Sequence, residues 1–135
     1  MQKEWVLNGK VVSGVRKAAY FTQLDWVQEQ CMEKLGFRPY PGTLNVEISE
    51  ESLPIIEALQ KEQGIELTPP DTEFCAARAR LLSVGSVSGA IIMPAEDVRV
   101  HRKNIVEVIS PLRLKDALKV KDGDSLTLIV KKLTS

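Results

Sequence analysis

Thr43 and Asn45 are the residues of this 135-residue chain whose spacing first suggests chemistry. They lie in Tyr40-Pro-Gly-Thr-Leu-Asn-Val-Glu47, which reads as a strand leaving a Pro-Gly turn. Alternate side chains of a strand share a face, so Leu44 and Val46 can anchor it in a core while Thr43 and Asn45 offer two oxygens to whatever lies opposite. Asparagine is depleted from strands, which makes its placement informative; two solvated polar residues are the plainer reading. Glu107, in the run Val-Glu-Val-Ile-Ser, points away from Val106 and Val108. Its plainer reading is a solvated residue on an outer face. Arg113-Leu-Lys-Asp116 opens a short helical segment, where a basic residue and free amides favour a nearby anion. Arg99, His101, Arg102 and Lys103 form a local basic cluster able to meet a phosphate. His101 by itself reads as a surface histidine.

The composition bounds these candidates. Lys and Arg number 18 and Asp and Glu number 18, so the net charge is zero, which argues against a nonspecific nucleic-acid binder. Any anion must be met locally. Cys31 and Cys75 stand far apart beside a single histidine, which suggests neither a zinc site nor a redox dithiol. Both cysteines read as buried apolar residues in a reducing compartment. No apolar run approaches the roughly 18 residues of a membrane span, and the N-terminus lacks the apolar core of a signal peptide. The expectation is a soluble cytoplasmic protein, monomeric by default, with no nucleic-acid or membrane partner.

The elements that must position the candidates follow from periodicity and punctuation. Strands are expected over Trp5 to Ser13 and Ala19 to Leu24, paired around a loop at Gly14 to Ala18. Asp25 is the expected N-cap of a first helix with Val27, Cys31 and Leu35 on one stripe and Gly36 as its C-terminal stop. A second helix starts after Ser49 or Ser52, tolerates Pro54 in its first turn, turns Leu53, Ile56 and Leu59 inward and stops at Gly64. Strands then recur over Phe74 to Leu82, Val87 to Met93, Ile105 to Ile109 and Ser125 to Val130. Ser110-Pro111 predicts a short helix to Leu118, and Asp122-Gly-Asp124 a turn into the last strand. With no repeat or linker, the chain reads as one mainly β domain over residues 1–135, of about six strands with two or three short helices.

Several stretches in order carry a resemblance: LNGKVVSG, YF at 20 to 21, LGFRPYPGTLNVEI, SGAIIMP, VEVISPLRLKDAL and KDGDSLTLIV. Together they resemble the archaeal-type CTP-dependent riboflavin kinases over nearly the whole chain. That resemblance implies a closed six-stranded cradle-loop barrel and transfer of a phosphoryl group from CTP to riboflavin, giving FMN and CDP with Mg²⁺. It implies that Thr43 and Asn45 hold the metal, a role that suits an ion preferring oxygen ligands. It implies that Glu107 contacts the flavin and that Arg113, Leu114, Lys115 and Asp116 approach the nucleotide.

The chain also departs from the family's pattern. The nucleotide loop, typically SG-x-G-x-G-x-Y-F, here reads Ser13-Gly14-Val15-Arg16-Lys17-Ala18-Ala19-Tyr20-Phe21, with Arg16 and Ala18 at two glycine positions. Glycine there permits close backbone approach to phosphates; Arg16 and Lys17 can instead meet phosphates directly, or form an exposed basic tip. A threonine that in the family contacts the flavin phosphate has no counterpart before His101, where Arg99 and Val100 stand, so Arg99 and His101 are the candidates for that contact. No catalytic base is assigned. Beside an active kinase, two further readings stay open at this point: a flavin- or nucleotide-binding module without turnover, and a barrel that docks another chain.

Overall fold

In the computed structural model the described residues are 4–13, 22–62, 64–70, 77–94 and 104–131. They form a mainly β fold with three α-helices. The strands are β1 (Glu4–Val12), β2 (Leu44–Ile48), β3 (Ile65–Leu67), β4 (Ala77–Val84), β5 (Val87–Pro94), β6 (Ile105–Ile109) and β7 (Ser125–Lys131), and the helices are α1 (Asp25–Lys34), α2 (Leu53–Lys61) and α3 (Leu114–Leu118). All strand pairings are antiparallel in the order β3-β4-β5-β6-β2-β1-β7, and β4 additionally pairs with β7.

Two apolar clusters occupy the two faces of this sheet. Leu7, Val11, Leu44, Val46, Val106, Val108, Ile91, Leu128 and Val130 gather on one face, with Ile56 and Leu59 of α2 packed into the same cluster. Fully burying each such side chain stabilises by roughly 1.5–3 kcal/mol. On the other face, Val27 and Cys31 of α1 and Leu35, its C-cap, meet Ala77, Ala79 and Ala90. Small residues on the strands let a helix come close. The expected stripe on α1 is therefore real, and Gly36 ends the helix at φ +89°, its N–H donating to the Cys31 carbonyl at 3.0 Å.

Arg80 breaks the apolar pattern. It is 1% exposed, and its Nη1 lies 3.3 Å from Glu62 Oε2 while Nη2 donates to the Lys131 carbonyl at 2.6 Å. Trp5 Nε1 donates to Glu62 Oε1 at 2.8 Å. Glu62, just past α2, thus ties β1 to β4, and Arg80 ties β4 to the end of β7.

Several expectations are corrected. The strand over Ala19 to Leu24 does not form in its described part: Thr22 and Gln23 make a helical turn. The reason is local, because the Thr22 hydroxyl accepts from the Gly42 N–H at 2.8 Å and its carbonyl accepts from Gln28 Nε2 at 2.6 Å. Leu24, not Asp25, is the N-cap of α1, with no side-chain cap, since Gln28 turns back to the carbonyls of Thr22 and Pro39. A 3-10 turn, Glu50–Ser52, precedes α2, and α2 ends at Lys61 rather than near Gly64. The helix expected from Pro111 starts only at Leu114 with Arg113 as N-cap. Ser110 is spent elsewhere: its hydroxyl donates to the Ser88 carbonyl at 3.0 Å and accepts from the Leu112 N–H at 3.3 Å. The short β3 had no counterpart in the sequence reading, the strand placed from Phe74 is described from Ala77 and runs to Val84, and the sheet has seven strands where about six were counted. Among the described residues no helix is long and apolar enough to cross a membrane.

Candidate functional site

The turn before β2 is built to hold Thr43 in one place. Gly42 adopts φ +126°, a conformation glycine alone takes without strain. The Tyr40 N–H donates to the Ser110 carbonyl at 2.7 Å, so this turn is fastened to the end of β6. Thr43 itself precedes the strand, which begins at Leu44.

Register then assembles a row of side chains. Asn45 stands opposite Val12 of β1 and opposite Glu107 of β6, which in turn faces Ile92 of β5. Directly opposed residues of antiparallel strands have Cβ atoms about 4.5–5.5 Å apart. The Thr43 hydroxyl donates to Glu107 Oε1 at 3.5 Å. Three residues that the sequence separates by as much as 64 positions therefore share one spot. Leu44 and Val46 are buried on the opposite face, as the alternation required.

Burial raises the Glu107 carboxyl above its ordinary pKa, and the hydrogen bond from Thr43 opposes part of that rise. A raised folded pKa means that the folded state binds this proton more tightly than the unfolded chain. Its contribution to stability is complete below the unfolded carboxylate pKa and is lost as pH rises through the folded value. Glu107→Gln removes the titration, so the variant is expected to gain in melting temperature relative to the parent between pH about 4 and neutrality. Paired thermal melts at the two pH values check it; a pH-independent difference would contradict it.

Next to this row, the turn before β2 and the segment before α3 enclose a cavity of about 160 Å³, lined among others by Tyr40, Gly42, Thr43, Leu112, Arg113 and Lys115. Leu114 is 6% exposed and part of the apolar cluster, so its side chain serves the core. Arg113 Nη1 and Asp116 Oδ1 form an exposed ion pair at 2.7 Å, a kind worth ~0.2–1 kcal/mol. Lys115 Nζ donates to Asp122 Oδ1 at 3.0 Å. Asp122 also accepts from the Ser13 hydroxyl, and these contacts, Ser13 first, hold its carboxyl below the usual carboxylate range.

Thr43, Asn45 and Glu107 are thus brought together, with Arg113 and Lys115 beside Thr43 around the adjoining cavity. Gly14, Val15, Arg16, Lys17, Ala18, Ala19 and Tyr20 lie outside the described residues, as do Arg99 and His101 with their basic neighbours, and Cys75. Cys31 is a buried free thiol whose pKa burial pushes up to about 11. Among the described residues no group of three or more His, Cys, Asp or Glu is placed to hold a metal. The oxygens of Thr43 and Asn45 form a different kind of donor set, two neutral groups with one carboxylate beside them. The sequence reading took Asp122 only as a turn residue and missed its bridge between Ser13 and Lys115; the signal was an acidic turn seven positions after a lysine.

Comparison with known proteins adds the following. A family profile labelled for CTP-dependent riboflavin kinases, and described as a domain of unknown function, DUF120, matches residues 11–130. The chain is 40% identical over 122 residues to a riboflavin kinase of Archaeoglobus fulgidus, covering 87% of this chain and 51% of that protein. It is 39% identical over 125 residues to a riboflavin kinase of Methanobrevibacter smithii, covering 90% and 97% respectively. A riboflavin kinase of Methanosarcina barkeri is 35% identical over 130 residues, with 93% of this chain and 56% of that protein covered. The chain thus spans about half the length of the Archaeoglobus and Methanosarcina relatives and nearly all of the Methanobrevibacter one.

Proposed function

Because the chain belongs to the CTP-dependent riboflavin kinase family, we propose that it transfers the terminal phosphoryl group of CTP to the ribityl 5′-hydroxyl of riboflavin, yielding FMN and CDP. The observation that carries this reading is the convergence of Thr43, Asn45 and Glu107 beside a cavity lined by Arg113 and Lys115. Phosphoryl transfer asks a protein mainly for alignment and charge neutralisation, and this arrangement offers both.

The roles follow from the chemistry of each group. Thr43 and Asn45 supply hard oxygen donors on one side of the sheet, a set that fits Mg²⁺, which keeps waters and substrate phosphates as the rest of its shell. When bound, that ion supplies neutralisation of the charge on the transferring group. Glu107, held by the Thr43 hydroxyl, accepts a hydrogen bond from the flavin, with Arg99 and His101 toward its phosphate end. Residues 14–20 and Arg113 to Asp116 take the nucleotide, Arg16 and Lys17 substituting charge for the backbone contacts that glycine allows elsewhere in the family. The β4–β7 pairing, at Leu82 with Val130 and Ser83 with Ile129, supports a closed six-stranded barrel of the cradle-loop type, with β3 as an added strand, forming one domain over residues 1–135.

Incubation of purified protein with riboflavin, magnesium and each of CTP, ATP, GTP and UTP, followed by separation of flavins, tests the proposal. FMN is expected with CTP and to depend on magnesium. Flavin and CDP binding without FMN from any of the four nucleotides would overturn it in favour of a binding module.

A further inference from the structure

The loop at residues 121–124 is fixed more firmly than a surface turn needs to be. The Gly123 N–H donates to the Val11 carbonyl at 2.7 Å and the Val11 N–H to the Asp124 carbonyl at 2.8 Å. Within the turn, the Asp124 N–H donates to the Lys121 carbonyl at 3.0 Å and the Lys121 N–H to Asp124 Oδ2 at 2.8 Å. Gly123 takes φ +95°, which lets the chain reverse there without strain. Two hydrogen bonds thus hold the turn against the end of β1 and two close the turn itself, and the Asp122 side chain takes part in none of them.

That carboxylate has two partners from different elements. Ser13, one residue past β1, donates its hydroxyl to Oδ2, and Lys115 of α3 donates Nζ to Oδ1 at 3.0 Å. Ser13 immediately precedes residues 14–20, the segment proposed above to take the nucleotide, and Lys115 lines the cavity beside Thr43. An ammonium has three donors, so Lys115 can keep Asp122 on one and direct another at a phosphate oxygen. A flexible lysine held at its charged end loses less freedom when a ligand arrives. Lys115 and Asp122 are 37% and 48% exposed, so the pair adds little to folding.

We infer that Asp122 is a positioning residue for the nucleotide, clamping Ser13, which adjoins the proposed nucleotide segment 14–20, and Lys115 on α3 into one fixed arrangement. The inference rests on the kinase reading above and adds to it a residue outside both nucleotide segments. Asp122 touches neither substrate. It acts through the lysine ammonium and the serine hydroxyl.

Steady-state kinetics and CDP calorimetry on Asp122→Ala, Asp122→Glu, Lys115→Met and the Asp122→Ala/Lys115→Met double variant test it. Asp122→Ala is expected to raise the KM for CTP and weaken CDP about tenfold, the size of one charge-assisted hydrogen bond, with kcat and the KM for riboflavin within about twofold. Asp122→Glu should restore much of the loss. The double variant should lose less than the sum of the two single variants, because both changes break the same Lys115–Asp122 contact. Unchanged CDP affinity in Asp122→Ala while the parent makes FMN would overturn the inference and leave the kinase reading standing. So would strictly additive losses, or a fall in kcat and riboflavin affinity that tracks a lower melting temperature. CDP binding that weakens in Asp122→Ala as described, while the parent makes no FMN, would support the clamp and remove the kinase reading. A parent that binds no CDP would overturn both.

Discussion

Thr43→Val and Asn45→Leu are each expected to lower magnesium-dependent FMN formation by at least about 100-fold, the scale on which losing a fixed electrostatic contact slows a reaction, while the fold stays intact. Thr43→Val keeps the shape of the side chain and deletes one hydroxyl. The buried side chains here are Leu44 and Val46, which the substitution leaves in place, so its cost to stability should stay within about 1 kcal/mol. Asn45→Leu replaces a half-buried amide opposite Val12 of β1 with an apolar group that this neighbour can accept. Loss of turnover with a preserved melting temperature would therefore report on the donor set and not on folding. A second readout removes the dependence on activity: magnesium should tighten CDP binding to the parent and lose that effect in both variants. If both variants turn riboflavin over at the parent rate, these residues do not hold the metal.

Thr43→Val has a consequence at Glu107 as well. The hydroxyl is the group that opposes the burial-driven rise of the Glu107 carboxyl pKa. Without it the rise is larger, and the pH-dependent loss of stability described above moves to higher pH. Changes at Thr43 and at Glu107 are coupled through a single 3.5 Å contact. A double variant combining Thr43→Val with Glu107→Gln should therefore fall short of additivity.

The strand at PGTLN was legible because a period of two needs only five residues to declare itself, and the Pro-Gly turn marks where it begins. The same holds for the stripe Val27, Cys31, Leu35 and for Gly36 behind it. What local pattern could not supply was register. Nothing near Asn45 says that Glu107 will stand across from it; that pairing is set by Leu44 and Val46 packing with Val106 and Val108 on the far face, since a shift by one residue would turn both sets outward. Side chains spent on distant backbone defeated the cap rules in the same way. Ser110 looked like an N-cap because serine often is one, yet a carbonyl on β5 takes its hydrogen. Thr22 looked like a strand residue because threonine is β-branched, yet Gly42 claims its oxygen. The resemblance assigned ligands to positions that geometry alone left as polar residues on a sheet. Asp122 lay outside both kinds of reading, since its partners come from two other elements and its own turn explains its presence without them.

Glu62→Ala is expected to have the largest effect on stability, about 3 kcal/mol, at the low end of what breaking a buried ion pair costs. The asymmetry of the pair sets the size. Glu62 is 28% exposed and would recover water on leaving, whereas the Arg80 guanidinium is 1% exposed and cannot. Removing the carboxylate leaves that buried charge with the Lys131 carbonyl, and leaves Trp5 Nε1 without the acceptor it has at 2.8 Å. An unpaired buried cation is far more costly than an apolar side chain in the same space. Glu62→Ala should thus melt roughly 10 °C below the parent, given the few degrees per kcal/mol usual for a domain of this size. Adding Arg80→Met, which fills much of the same volume without a charge, should recover a good part of that loss even though it removes a second native interaction. Glu62→Gln, which keeps an acceptor for Trp5, should fall between parent and Glu62→Ala. Thermal or urea unfolding of the four proteins decides the matter: a Glu62→Ala variant that melts with the parent, or a double variant less stable than the single one, would show that Arg80 does not depend on Glu62 for its place in the core.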